Sequence, residues 1–338
     1  VFALSLLASC VLVLAGRPAP VFAQIGRVAI SRDNSLVLRS LARSPFAGAA
    51  QLAWSPDGAR LAAATDDGAI VFDTALLLSG VLAPQRVGDR SAGLPAQDVA
   101  FQPDTDRVAI AIGGRIEFWD LSDNLEVANI EGSAPIAFDV AGGLFAYTLP
   151  SGREMRMVAM PGMTQVQDLR GHTERVNDVA FSHQGNTLVS TADDGRLVVW
   201  DTASGEPFIE YAAEGGYTSA AFSPNGVFVA ATGRAGEIHL INLAIATERV
   251  FPFPLDEAAA VQDADLARSV GSIAFNSVGN VLAYVAGDAL LVWAIDDRGE
   301  ARPAAYRLGA RGLEAHFSPD GSLIVTLTED GMVQLWGV

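Results

Sequence analysis

The sequence predicts an all-β fold: a seven-bladed β-propeller with four antiparallel strands per blade. Three observations predict it. A six-residue turn sequence recurs as Ala53-Trp54-Ser55-Pro56-Asp57-Gly58, Ala221-Phe222-Ser223-Pro224-Asn225-Gly226 and His316-Phe317-Ser318-Pro319-Asp320-Gly321. With looser copies at Phe101, Phe138, Phe181 and Phe275, the aromatic anchors step by 47, 37, 43, 41, 53 and 42 residues, close to the ~40–45 of one four-stranded blade. A second anchor follows 18 or 19 residues later in six units, as in Trp54/Phe72, Phe101/Trp119, Phe181/Trp200, Phe222/Ile241, Phe275/Trp293 and Phe317/Trp336. The third unit is degenerate, with Phe138 followed by Met157 or Val158.

Each unit reads as strand, turn, strand, turn, strand. Ser-Pro-Asp-Gly suits a tight turn because Pro presets φ, Asp bonds locally and Gly takes positive φ without steric cost. Short apolar runs follow, such as Leu61 to Thr65, Leu188 to Thr191 and Leu323 to Leu327. A second turn comes at Asp66-Asp67-Gly68, Asp193-Asp194-Gly195 or Glu329-Asp330-Gly331, and then a strand ending in the second anchor. Near-continuous apolar runs fit strands covered on both faces, as in blades packed on blades. The seventh unit carries three strands up to Val338, and Leu36 to Leu41 is the expected fourth. That pairing closes the ring and leaves no open joint between its ends. Two strands of an eighth blade within Val28 to Leu41 is the poorer alternative, because no inner strand remains to complete it.

Residues 1–23 read as a secretory signal peptide and 24–338 as the propeller. Val1 to Gly16 is almost uninterruptedly apolar, too short for the roughly 20 residues of a spanning helix, and a small-residue site ends at Ala23. Leu7-Ala8-Ser9-Cys10 also resembles a lipoprotein box, which makes a lipidated Cys10 the alternative, although the apolar core continues past it. The expected location is secreted, periplasmic or cell-envelope, with no membrane insertion after cleavage.

Net charge is −17, with 39 acidic residues against 22 basic ones, all of them Arg. That balance argues against a nucleic-acid surface or an anionic-membrane anchor. Cys10 is the sole cysteine, which excludes disulfide scaffolds and Cys-ligated zinc. The chain shows no EF-hand, phosphate-binding loop or dinucleotide fingerprint, and no cofactor is expected.

The repeat resembles the WD-repeat family of propellers across residues 28–338. Trp119-Asp120 and Trp200-Asp201 carry its Trp-Asp pair and Gly171-His172 its Gly-His pair, while Phe72-Asp73, Ile241-Asn242, Trp293-Ala294 and Trp336-Gly337 depart from it. Periplasmic propellers associated with Tol-Pal systems share related Ser-Pro-Asp-Gly turns, and an envelope accessory protein similar to them is a further alternative. In the fourth unit the resemblance implies a structural hydrogen-bond network of His172, Ser190, Asp194 and Trp200. Indole N–H is a donor, hydroxyl gives and accepts, and carboxylate accepts, so such a chain is chemically sound. Read without the resemblance, the same residues include a Ser-His-Asp set. The last unit keeps Thr326, Asp330 and Trp336 without a matching His.

The resemblance also implies a monomeric, non-catalytic interaction platform for a protein partner. The matching face would include Thr173, Glu174, Arg175, Asp193 and Tyr217, with Tyr and Arg as plausible anchors. The rival reading is a propeller enzyme or a small-molecule or cation binder using the central channel. Three positions before each inner-strand aromatic stand Gln51, Asp98, Pro135, Asp178, Ser219, Ser272 and Glu314. Asp98, Asp178 and Glu314 are therefore expected to approach the axis, where they either hold a hard cation with water or form a hydrated wall. His183, His239 and His316 do not form a ligand set by spacing. Within the long connection Ala244 to Ser269, Phe251-Pro252-Phe253-Pro254 is the better partner candidate, and a helix is expected from Leu255.

Overall fold

The computed structural model describes residues 29–31, 34, 38–46, 48–88, 94–213, 215–234, 236–251, 270–295 and 302–338. The leader with Cys10, and residues 252–269 with their expected helix, lie outside the described residues. Seven four-stranded antiparallel sheets form seven blades, each running from an inner strand at the axis to an outer strand at the rim. Blade 4 sets the pattern with Val176–Phe181, Thr187–Ala192, Arg196–Asp201 and Pro207–Ala212. Its middle strands are buried almost throughout, whereas the outer strand alternates between half-buried and exposed. Middle strands read as unbroken apolar runs because neighbouring blades cover both of their faces.

The core is split accordingly. Seven apolar clusters each draw on two adjacent blades, one cluster filling each gap around the ring. The spaced anchors meet as expected, with one intervening residue between them across the sheet. In blade 1 Trp54 lies opposite Leu61, which lies opposite Phe72. In blade 4 Phe181 lies opposite Leu188, which lies opposite Trp200. In blade 3 Phe145 lies opposite Val158, so Val158 rather than Met157 takes the second anchor position.

The ring closes through the N-terminal strand, but only partly over the segment the sequence suggests. Arg39–Pro45 pairs with Met332–Gly337, running from Arg39 opposite Gly337 to Pro45 opposite Met332 with a bulge between Ser40 and Ala42. The strand shares Arg39, Ser40 and Leu41 with the expected segment and continues to Pro45, and apolar content is a poor guide to a strand with a wet face. The observed strand is mostly exposed, whereas Leu38 just before it is buried between blades 6 and 7. Between the third and outer strands of blade 1 stands a one-turn helix, Thr74–Leu78, capped by Asp73 accepting from the Leu76 N–H at 2.9 Å, before the short outer strand Gln85–Val87. Among the described residues no helix is long and apolar enough to cross a membrane.

Candidate functional site: a buried network, a clasped channel and an exposed ridge

The polar set of blade 4 assembles as a single chain of donors. Trp200 Nε1–H donates to Ser190 Oγ at 2.8 Å, and Ser190 Oγ lies 2.8 Å from His172 Nε2. His172 Nδ1 lies 3.0 Å from Asp194 Oδ2. Each group has a partner if the neutral imidazole carries its proton on Nδ1, because Ser190 can then donate to Nε2. Burial, foremost, holds the His172 pKa below the ordinary value of 6.5, consistent with that neutral form. Burial would raise the Asp194 carboxyl, but the Thr173 N–H, the His172 ring and the Arg196 N–H together hold it below 3.8. Gly171 allows the close approach, since a Cβ there would lie 2.9 Å from Trp200 Cη2.

Ser190 is fully buried, with its hydroxyl held between the Trp200 indole N–H and the His172 ring. The set ties the loop before blade 4 to its second and third strands. His172→Ala is expected to lower the unfolding free energy by about 1–3 kcal/mol, the cost of leaving buried partners unmade. Equal denaturant midpoints for the two proteins would count against the network.

Other blades solve the same problem differently. Trp336 Nε1 donates to Thr326 Oγ1 at 3.0 Å in blade 7. In blade 2, Ile110 takes the register position of Ser190, and Trp119 Nε1 instead donates to Glu117 Oε2 at 2.8 Å. Arg115 Nε donates to the other carboxylate oxygen at 2.8 Å. Sequence reasoning passed over Glu117; the available signal was one carboxylate set between Ile116 and Phe118 in an apolar run.

The channel is lined by all seven inner strands and encloses about 640 Å³. A β-bulge precedes the axial residue in most inner strands, for example between Val176 and Asp178 and between Gly312 and Glu314. Bulges of this kind re-aim a side chain. Here they turn the axial residue toward the next blade, where it receives the N–H two positions before that blade's anchor. Glu314 accepts from Leu52 N at 2.6 Å, Ser272 from Ala315 N at 2.8 Å and Ser219 from Ile273 N at 3.4 Å.

Gln51 and Pro135 make no such bond, and the blades that follow them compensate. Asp98 accepts from its own neighbour Val99 N at 2.7 Å and from Ile136 N of blade 3 at 2.8 Å. Asp178 accepts from Val179 N at 2.8 Å and from Ala220 N of blade 5 at 3.0 Å. A carboxylate has two acceptor oxygens where a hydroxyl has one, so an aspartate after each unclasped blade completes the circuit. The axial carboxylates thus join blade to blade. Among the described residues no group of three His, Cys, Asp or Glu is arranged to hold a metal ion.

The remaining histidines are dispersed. His183 is exposed in a turn. His239 is buried, with Nδ1 2.6 Å from Glu248 and Nε2 3.4 Å from Glu237. His316 enters the channel, its Nε2 3.4 Å from Glu314.

Of the residues expected on the binding face, Thr173, Glu174, Arg175 and Asp193 are exposed on neighbouring loops of blade 4. Tyr217 is not among them, and its expected role is corrected. It is fully buried between blades 4 and 5, edge-on to His239 at 4.9 Å, with its hydroxyl donating to Glu248 at 3.4 Å. Burial, with Glu248 next, pushes its pKa up from 10.0. Tyr217 starts an inner strand, at the position where blade 4 buries Val176. The residue that does join the face is Arg234, which sequence reasoning passed over and which pairs with Asp193 across the blade boundary. Asn177 Nδ2 also donates to Asp193, at 3.0 Å.

Comparisons with known proteins agree with this geometry. The family profile described as WD domain, G-beta repeat (WD40) matches residues 47–72, 163–201 and 311–337. An uncharacterised WD repeat-containing protein of Synechocystis is 35% identical over 133 residues, covering 37% of each chain. The U3 small nucleolar RNA-associated protein 21 of Saccharomyces cerevisiae is 28% identical over 134 residues, 38% of this chain and 14% of its own length. This chain spans less than half the length of the curated relatives it matches. Among solved structures, a chain of the mitotic checkpoint complex superposes with a TM-score of 0.75 at 17% identity, covering 89% of this chain and 94% of its own. The Cps50 (Swd1) propeller domain of Myceliophteria thermophila gives 0.71 at 15% identity, covering 89% and 99%. With its repeat matched in three places and its fold shared over most of its length, the chain carries WD40 repeats on a seven-bladed β-propeller.

Proposed function

We propose that this chain is a non-catalytic protein-binding platform that works outside the cytoplasm after removal of residues 1–23. The observation that carries the reading is the exposed ridge of Thr173, Glu174 and Arg175 with Asp193 and Arg234, held on the frame of blades 4 and 5. The loop is fixed at both ends: Thr173 N–H donates to Asp194 at 2.9 Å, and Arg175 C=O accepts from Asp193 N–H at 2.8 Å. A preorganised loop loses little entropy when a partner docks. Among the described residues the Arg175 side chain forms no ion pair, leaving its guanidinium available to a partner carboxylate. Support for export is the apolar leader, with its small-residue site and the sole cysteine inside the segment to be removed.

The reading is tested by affinity capture from cell-envelope extract with residues 24–338, beside the same protein carrying Arg175→Glu. A protein retained in stoichiometric amount by the parent and at least tenfold less by the variant, with equal melting temperatures, is the expected result. Equal retention by both proteins removes this ridge as the binding face. N-terminal sequencing of the protein recovered from cells is expected to start at Gln24; an intact leader overturns the export step.

A further inference from the structure

The clasped channel concentrates acids: Asp98, Asp178 and Glu314 line it together. Asp98 is only 9% exposed, and both of its oxygens are taken by backbone N–H groups. Glu314 and Asp178 share its channel, and the charged or titratable lining consists of these three carboxylates and His316. The inner strands on either side of Asp98, Gln51–Trp54 and Ser133–Phe138, line the channel with Gln51, Leu52 and Ile136, which bring no charge. No arginine is among the lining residues.

We propose that the channel is a proton-linked lock on ring closure: Asp98, joining blade 2 to blade 3, takes up a proton as the medium acidifies, and the ring becomes more stable as it does. The device needs only the fold and is independent of the platform reading.

The physical balance favours it. Burial, foremost, raises the Asp98 pKa from 3.8 to about 7 against the lowering effect of the Ile136 and Val99 N–H groups, with Glu314 and Asp178 adding to the rise. A protonated carboxyl keeps a lone pair on each oxygen, so both clasps can survive protonation. Burial would lower the His316 pKa, but contact with Glu314 and the fields of Asp178 and Asp98 raise it above 6.5.

For both groups the folded chain binds protons more tightly than the unfolded chain. Their stabilisation is complete below the unfolded pKa and is lost as pH rises through the folded one. For Asp98 that window runs from 3.8 to about 7. His172 acts in the opposite sense: its lowered pKa means that stability is lost as pH falls below 6.5. Isolating Asp98 therefore takes a variant and not a single pH curve.

The experiment is denaturant unfolding of the wild-type chain, Asp98→Asn and His316→Gln at matched ionic strength between about pH 5.5 and 7.5. The expected unfolding constant of Asp98→Asn, relative to wild type, falls by on the order of tenfold as pH rises across that range, while His316→Gln retains most of the wild-type pH dependence. A constant ratio between Asp98→Asn and wild type overturns the lock. Should Asp98→Asn fail to fold, the side-chain carboxyl carbon of Asp98 is followed by NMR in the wild-type chain. A midpoint near neutrality supports the lock, and a midpoint near the ordinary carboxylate value of 3.8 overturns it.

Discussion

Asp178→Ala is expected to lower the unfolding free energy by about 3 kcal/mol, because charge-assisted hydrogen bonds contribute about 1.5–3 kcal/mol each and several donors lose one acceptor. The carboxylate receives Val179 N–H, Ala220 N–H and the Ser219 hydroxyl, the last at 2.7 Å. Ser219 can rotate to find another acceptor, but the two backbone donors cannot. Ser219 also receives Ile273 N–H of blade 6, so the loss reaches two joints of the ring. Asp178→Asn keeps one acceptor oxygen and is expected to lose about half as much. Denaturant midpoints of the three proteins decide it. If Asp178→Ala unfolds like the parent, the clasps do not hold the blades together.

Gly271→Ala is the second large effect, and its cause is space. Gly271 opens the bulged part of the blade 6 inner strand. A Cβ there would lie 2.0 Å from the Leu313 carbonyl oxygen of blade 7 and 2.6 Å from Val285 Cγ2. The carbonyl belongs to the neighbouring inner strand and cannot swing away, so the two blades must part by roughly an ångström. Overpacking of a close-packed interior costs about 1–3 kcal/mol and sometimes more, and the upper end is expected here because backbone has to move. Gly143→Ala is the control: no atom lies within 4 Å of the added methyl, and its φ is not in the left-handed region. That change is expected to stay within about 0.5 kcal/mol. Equal thermal midpoints for the two variants would contradict the close blade 6 to blade 7 contact.

The sequence made the ring legible because its constraint is periodic. Trp54, Phe101, Phe181, Phe222, Phe275 and Phe317 stand a nearly constant distance ahead of their second anchors, since every sheet must place one large residue per strand in the gap to the next blade. Blade 4's network was legible through the resemblance to WD-repeat propellers; by residue type alone His172, Ser190 and Asp194 also read as a Ser-His-Asp set. Glu117 was not legible because Trp119 follows the recurring anchor pattern, whereas a carboxylate two residues before the anchor, paired with Arg115, does not recur in the other blades. The axial row of Gln51, Asp98, Pro135, Asp178, Ser219, Ser272 and Glu314 was found, but its chemistry was not. On the sequence alone its three acids read as a cation site or a hydrated wall; the structure shows that five of the seven axial side chains accept an N–H from the next blade.

Tyr217 and Arg39–Pro45 show where reading one strand at a time fails. Tyr217 has the composition of a binding anchor, and only its place at the start of an inner strand, beside His239 and Glu248, buries it. The closing strand carries little apolar signal because its outward face is wet, so pairing with Met332–Gly337 had to locate it. By itself the sequence determined the number of blades, their strand order and the closure of the ring. All of these follow from spacing along the chain and from residue type. The tertiary structure decided which axial oxygen meets which N–H, which exposed residues form one ridge and which buried acid faces others across the channel. Those depend on contacts between blades about forty residues apart in sequence, and a linear pattern carries no information about the direction in which a side chain leaves its strand.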